Sequence, residues 1–172
     1  MDRLVLHVPR REEFAFRQKL LSDPATMAYN APWVPPDGCI PFSEKDWENW
    51  YPQWIGHEGE RFFAYLQRES DGAFVGDVCY HRVGERDCWE IEVLIYAPER
   101  GKGYSEQGLA LLLDHAFRVD GVKRLRNEFE SSRLAARRAH RAVGFREISE
   151  ANGMVAFELS REEYLAKAQT SK

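Results

Sequence analysis

Cysteine is scarce: Cys39, Cys79 and Cys88 make an odd set of three in 172 residues, and no two stand at CxxC spacing. That usage argues against a disulfide framework or a zinc site and fits a reducing cytoplasm, with Cys79 and Cys88, possible strand neighbours, read as plain buried thiols. No metal is expected. A basic excess is also missing, since 24 Lys and Arg face 28 Asp and Glu for a net charge of -4. A general nucleic-acid binder would carry the opposite balance, so none is expected. No run approaches the ~20 apolar residues of a membrane-spanning helix, and no membrane partner is expected. The opening MDRLVLHVPRREEF lacks the longer apolar core of a secretory signal and reads as a first strand. Internal repeats, low-complexity tracts and a domain linker are absent as well. One domain over residues 1–172 is the economical organisation, long enough to bury a sizeable core.

What is present is patterned. LVLHV (4–8) reads as a short strand ended by Pro9, and REEFAFRQKLLSD as a helix. MAYNAPWVPPDGCIPF (27–42) has four prolines and a glycine, so too many backbone donors are missing for regular structure and it reads as a loop. Ser43 can cap the next helix with Asp46 three residues on. That helix carries Trp47, Trp50 and Trp54 at spacings of three and four, with Pro52 expected to kink or shorten it.

From residue 61 the period changes to two. RFFAYLQRE, AFVGDVCYHRV and CWEIEVLIYA are strand-like runs joined by SDG and GERD, short connections that favour antiparallel hairpins. In the third run Glu90, Glu92, Leu94 and Tyr96 share one phase and therefore one face. Leu109, Leu112, Leu113, Ala116 and Phe117 then mark an amphipathic helix. RLRNEFE is a further strand, LAARRAHRAV a helix closed at Gly144, and FREIS and MVAFELS a closing pair of strands before a terminal helix, SREEYLAKAQ. These elements make an α/β (α+β) domain.

Between the third strand and the leucine-rich helix lies ERGKGYSEQG. A strand that runs through a glycine-rich turn into a helix N-terminus exposes main-chain N–H groups to an anion, and glycine lets a pyrophosphate approach the backbone. The stretch is neither GxxxxGK[ST] nor GxGxxG, since Glu106 occupies the place of a third glycine. On the turn alone, a phosphate cradle and a simple strand-to-helix connection stay equally open.

Two motifs together extend the reading. Arg100-Gly101-Lys102-Gly103-Tyr104-Ser105 fits [Q/R]-x-x-G-x-[G/A] except at Ser105, and Ala136 to Gly144-Phe145 fits A-x-x-x-[Y]-x-x-x-G-F with His140 at the Tyr position. In these motifs, and in the order of elements over roughly residues 61–160, the chain resembles the GNAT superfamily of acyl-CoA-dependent N-acetyltransferases. The resemblance implies a single domain with a mixed, mostly antiparallel central sheet of about seven strands flanked by helices. Residues 61–160 would be the acetyl-CoA-binding core and residues 1–60 the variable acceptor side.

It also implies roles. Main-chain N–H groups from Arg100 through Ser105 (Gly101, Lys102, Gly103 and Tyr104 between them) would hold the pyrophosphate of acetyl-CoA. Main-chain donors at Leu94 and Ile95, on a strand that commonly splays from its neighbour, would polarise the thioester. Arg133 stands where many members carry an Asn that contacts the pantetheine arm, leaving a charged alternative there. Glu92 is the candidate base for an amine whose pKa lies near ~10, and His140 the candidate acid for the thiolate. The plainer readings stay open: Glu90 and Glu92 as the polar face of a strand, and His140 as a helix-face imidazole satisfied by a carbonyl. Arg133, Arg137, Arg138 and Arg141 read either as a solvated face or as a contact for the 3′-phosphate of CoA. On the acceptor side Tyr29, Asn30 and Trp33 are candidates for the pocket, whereas the helix tryptophans read as core. The expected activity is transfer of an acetyl group by direct attack of an amine in a ternary complex, the acceptor being a small molecule or a protein or peptide amine. A non-catalytic acyl-CoA sensor on the same fold and an unrelated nucleotide binder are the alternatives, and a homodimer is left open.

Overall fold

The structure is a computed structural model and describes residues 2–57, 59–84 and 88–170. Strand β1 (Leu4–His7) is followed by helix α1 (Phe14–Ser22), the helical turn α2 (Pro24–Met27) and helix α3 (Glu44–Trp54). Strands β2 (Arg61–Arg68), β3 (Phe74–Arg82) and β4 (Trp89–Ile95) come next, and then helix α4 (Tyr104–Asp114) with a π-helical turn at its end. Strand β5 (Arg124–Glu130), helix α5 (Leu134–Ala142), strands β6 (Arg146–Ala151) and β7 (Met154–Ser160) and helix α6 (Arg161–Thr170) complete the chain.

The seven strands form one sheet in the order β1-β2-β3-β4-β5-β7-β6. All neighbours are antiparallel except β4 and β5. This is the mixed, mostly antiparallel architecture expected from the sequence. Of the GERD turn read between β3 and β4, residues 85–87 lie outside the described residues. The β6–β7 turn sits where ANG predicts it, with Asn152 and Gly153 both at positive φ, 53° and 76°.

One departure lies between β1 and β2. Residues 27–42 are not wholly irregular, because Ala28–Asn30 forms a 3-10 turn continuing from α2. Asp23 starts that unit by accepting from the Thr26 N–H at 2.8 Å and the Thr26 hydroxyl at 2.5 Å. Helix α3 runs through Pro52 to Trp54. A proline so near the C-terminus removes only one backbone bond, and the Ser43–Asp46 capping box secures the other end.

The strand alternation sorts the side chains onto two faces. Leu66, Val78, Tyr80, Ile91 and Ile95 bury themselves against α4, whose Leu109, Leu112 and Leu113 are fully buried. The opposite face presents Phe63, Tyr65 and Cys79, which pack with Trp50, Trp54 and Phe16. Trp47 is buried as well, and Trp47, Trp50 and Trp54 stack in sequence, so the helix tryptophans are core.

Candidate active site

The site begins where the sheet parts. Strands β4 and β5 pair only at Trp89–Leu125 and Glu90–Arg126, and beyond Glu90 they diverge. Tyr96 N–H donates to the Val75 carbonyl at 2.9 Å. With the β3–β4 register, strand alternation then turns Leu94 and Glu92 main-chain groups toward β3, and those of Val93 and Ile95 toward the gap. Of the two main-chain donors expected here, Ile95 faces the opening and Leu94 pairs with β3. Gly76 makes the β3–β4 approach feasible, since a Cβ there would lie 2.2 Å from the Leu94 carbonyl oxygen.

The glycine turn closes one end of the gap. Gly101 and Gly103 have φ of 79° and 77°, and Gly103 is the N-cap of α4. No side chain caps this helix among the described residues, so its first-turn N–H groups lie open. A Cβ added at Gly101 would meet nothing within 4 Å, so the turn borders free space. Arg100 points elsewhere. Its own N–H is spent on the Ala97 carbonyl at 3.1 Å. Its guanidinium donates to the carbonyls of Ile95, Ala25 and Thr26 at 3.2, 3.0 and 2.8 Å. Thr26 in turn accepts the Ala97 N–H at 2.9 Å. Arg100 thus fastens α2 to the glycine turn. Lys102 turns outward to Glu99 at 2.7 Å, and the Tyr104 ring is buried with its hydroxyl near Asp2.

Two cavities meet at the gap. One, of about 620 Å³, runs from Gly101, Gly103, Ser105 and Glu106 along Ile95 to Arg138 and His140. The other, of about 400 Å³, is lined by Arg17, Asn30, Asp77, Glu92, Asn127 and Phe129 among others. Tyr29, Val93, Leu94, Arg133, Ala136 and His140 line both, and so mark the junction.

The predicted residues divide accordingly. Glu92 and Asn30 face the second cavity, although the Asn30 amide also donates to the Gly38 carbonyl at 2.9 Å. Tyr29 and Arg133 stand together, with the guanidinium carbon 4.8 Å from the ring centre and 5.6 Å from that of Phe129. Burial, assisted by Glu92 and Asp77, pushes the Tyr29 hydroxyl up to about 12. Trp33 is 67% exposed and lines neither cavity.

His140 is buried, and burial lowers its pKa to about 4. Its Nδ1 lies 2.8 Å from the Ala136 carbonyl, so Nδ1 carries the hydrogen and donates. Nε2 then accepts from Asn127 Nδ2 at 3.0 Å. The imidazole is neutral at physiological pH and has no proton free for the junction. The arginines of α5 divide too. Arg137 and Arg141 pair with Glu147 and Glu150 of β6, while Arg138 is exposed on the first cavity.

Sequence reasoning passed over three residues of the second cavity: Arg17, Asp77 and Asn127. Asp77 had a signal, being the one acid in the run FVGDVCYHRV, at a phase shared with Cys79. A carboxylate amid buried positions of a central strand is a functional candidate.

Residues 3–146 match the family model described as "Acetyltransferase (GNAT) domain". The chain belongs to the GNAT acetyltransferase family. The fold of this GNAT domain is shared by a spermidine N-acetyltransferase from Vibrio cholerae, solved in complex with CoA and spermine. It is 18% identical, with a TM-score of 0.78 over 95% of this chain and 98% of that one. A GNAT-family acetyltransferase from Bacillus anthracis gives 16% identity and a TM-score of 0.73 over 94% and 96%. A nucleotide-linked sugar GNAT in its apo form gives 15% and 0.72 over 99% and 94%. At these identities the likeness is one of fold. A sequence search of the curated proteins finds no match.

Proposed function

We propose that this GNAT domain transfers an acetyl group from acetyl-CoA to the amine of a small-molecule acceptor, by direct attack in a ternary complex. The observation that carries this is the parting of β4 and β5 after Glu90, which opens a gap onto the uncapped N-terminus of α4. The residues fit the co-substrate: Gly101 and Gly103 are at positive φ, the turn borders free space at Gly101, and the open first-turn N–H groups suit a pyrophosphate. Ser105 can add its hydroxyl there, and Arg138 is the residue of the basic cluster best sited for a further phosphate. Acetyl-CoA, when bound, supplies the acetyl group as a thioester.

The chain's own residues do the rest. The Ile95 N–H donates to the thioester carbonyl oxygen as negative charge gathers on it. Arg133, stacked between Tyr29 and Phe129, flanks the passage between the cavities. Glu92 faces the acceptor and attracts its ammonium. A neutral His140 orients Asn127 and the α5 backbone, and the thiolate takes its proton from solvent. That the Vibrio cholerae enzyme was solved with CoA and spermine supports an amine acceptor of this kind.

The test pairs thermal shift with thiol release. Acetyl-CoA should raise the melting temperature where ATP and NAD do not, and at least one primary amine should elicit free thiol. A shift by acetyl-CoA with no thiol from a broad amine panel would leave a CoA-binding module in place of an enzyme.

A further inference from the structure

Asp77 lies in the middle of β3, opposite Leu94, and Glu92 lies opposite Cys79 on β4. The two carboxylates therefore sit two register positions apart, as neighbours on one face of the sheet, and both line the 400 Å³ cavity. The Asp77 side chain is only 7% exposed, yet its ion pair is weak: Oδ2 is 3.4 Å from Arg17 Nη1. Among the described residues no hydrogen bond reaches its Oδ1. Arg17 is held mainly by rings, its guanidinium carbon 4.3 Å from the centre of Trp50, 4.9 Å from Phe63 and 5.4 Å from Phe42. Its Nε is buried without a partner. Oδ1 is not among the sealed, unpartnered side-chain atoms and so is reachable from the cavity. A carboxylate this buried is costly to ionise, and a second acid beside it adds to the cost. A cation entering the cavity would offset both.

We propose that Asp77 is the second carboxylate of the acceptor site: with Glu92 it grips the acceptor's ammonium and takes one of its protons, and Arg17 is the positioning residue that holds it on the cavity floor. The inference rests on the acetyl-transfer reading. One ammonium proton moves to an Asp77 oxygen, and the freed nitrogen pair forms the N–C bond to the thioester carbonyl. The C–S bond breaks with its electron pair on sulfur. The new amide nitrogen loses a second proton, the thiolate gains one, and one proton leaves in all through Asp77 to solvent.

The groups facing Asp77 are Arg17 from α1, Tyr65 from β2, Cys79 on its own strand, Glu92 from β4 and Tyr29 from the 3-10 turn. Burial pushes the phenols and the thiol up, which leaves Arg17 and Glu92 as the charges that act on Asp77 near neutrality. Burial pushes the Asp77 carboxyl up to about 7, Arg17 opposes this and Glu92 adds to it. A base poised there can accept a proton at physiological pH.

The experiment measures kcat/KM across about pH 5 to pH 9 for wild type, Asp77→Asn, Asp77→Glu, Glu92→Gln and Arg17→Gln. The acceptor is the amine giving most thiol release from a primary-amine panel that includes spermine, and the acetyl-CoA thermal shift controls for folding. Wild type should show an acid limb near neutrality. Asp77→Asn should lose that limb and about 10²-fold in rate while keeping the acetyl-CoA shift, and Asp77→Glu should restore the limb. Glu92→Gln should move the limb to lower pH, and Arg17→Gln to higher pH, which a purely structural arginine would not do. An Asp77→Asn enzyme with the wild-type limb and rate would overturn the proposal alone. A wild type that binds acetyl-CoA but acetylates no amine would overturn the acetyl-transfer reading, and this proposal with it.

Discussion

Arg100 and Thr26 are joined across the two halves of the chain, the guanidinium Nη2 donating to the Thr26 carbonyl at 2.8 Å. The arginine that heads the glycine turn thus anchors the segment carrying Tyr29 and Asn30. Arg100→Met should therefore affect both substrates, raising KM for the amine as well as for acetyl-CoA. Initial rates with each substrate varied in turn would check this, and a change confined to acetyl-CoA would contradict it.

Gly103 holds a φ of 77° at the start of α4. Gly103→Val would force a β-branched residue into the left-handed region and set its side chain beside the open N–H groups. Calorimetric titration should show at least tenfold weaker acetyl-CoA binding, with circular dichroism showing the fold retained.

Gly76 is a different case, because an added Cβ would overlap a backbone atom, the Leu94 carbonyl oxygen at 2.2 Å. Gly76→Ala should destabilise by about 1–3 kcal/mol, the usual range for overpacking, and should displace β4. Urea unfolding measures the first effect and acetyl-CoA affinity the second.

Two buried groups should leave opposite marks on stability against pH. Asp77 is raised from 3.8 to about 7, so the folded state holds a proton that the unfolded chain releases. Its contribution is fully present below about 3.8 and is lost as pH rises through about 7. His140 is lowered from 6.5 to about 4, so its contribution is present above 6.5 and is lost as pH falls through about 4. Asp77→Asn should remove the first slope and His140→Gln the second, as read by urea midpoints at several pH values. The His140 ring should also show no NMR titration between pH 8 and its lowered value.

The outline of the site was legible through two motifs and the resemblance they carry. The glycine turn alone left a phosphate cradle and a simple connection equally open, and the phase of Glu92 alone fitted the polar face of a strand. The fold class followed from the strand and helix periodicities. Side-chain direction was not legible. Arg100 and Lys102 stand in the turn expected to hold the pyrophosphate, but the side chain of the first reaches carbonyls of α2 and that of the second reaches Glu99. His140 sits in its expected helix, yet its ionisation depends on Asn127 and on burial, which come from β5 and the core. The 400 Å³ cavity was least visible, since Arg17, Asp77 and Glu92 belong to three elements that only the sheet and the tryptophan core bring together.

The most direct test of acetyl transfer is an initial-rate matrix of acetyl-CoA against the best amine, with free thiol and the mass of the amine product both measured. The account predicts that thiol appears only when both substrates are present, that double-reciprocal lines intersect, and that the amine gains one acetyl group. Thiol release independent of amine, parallel lines, or an unmodified amine would contradict it.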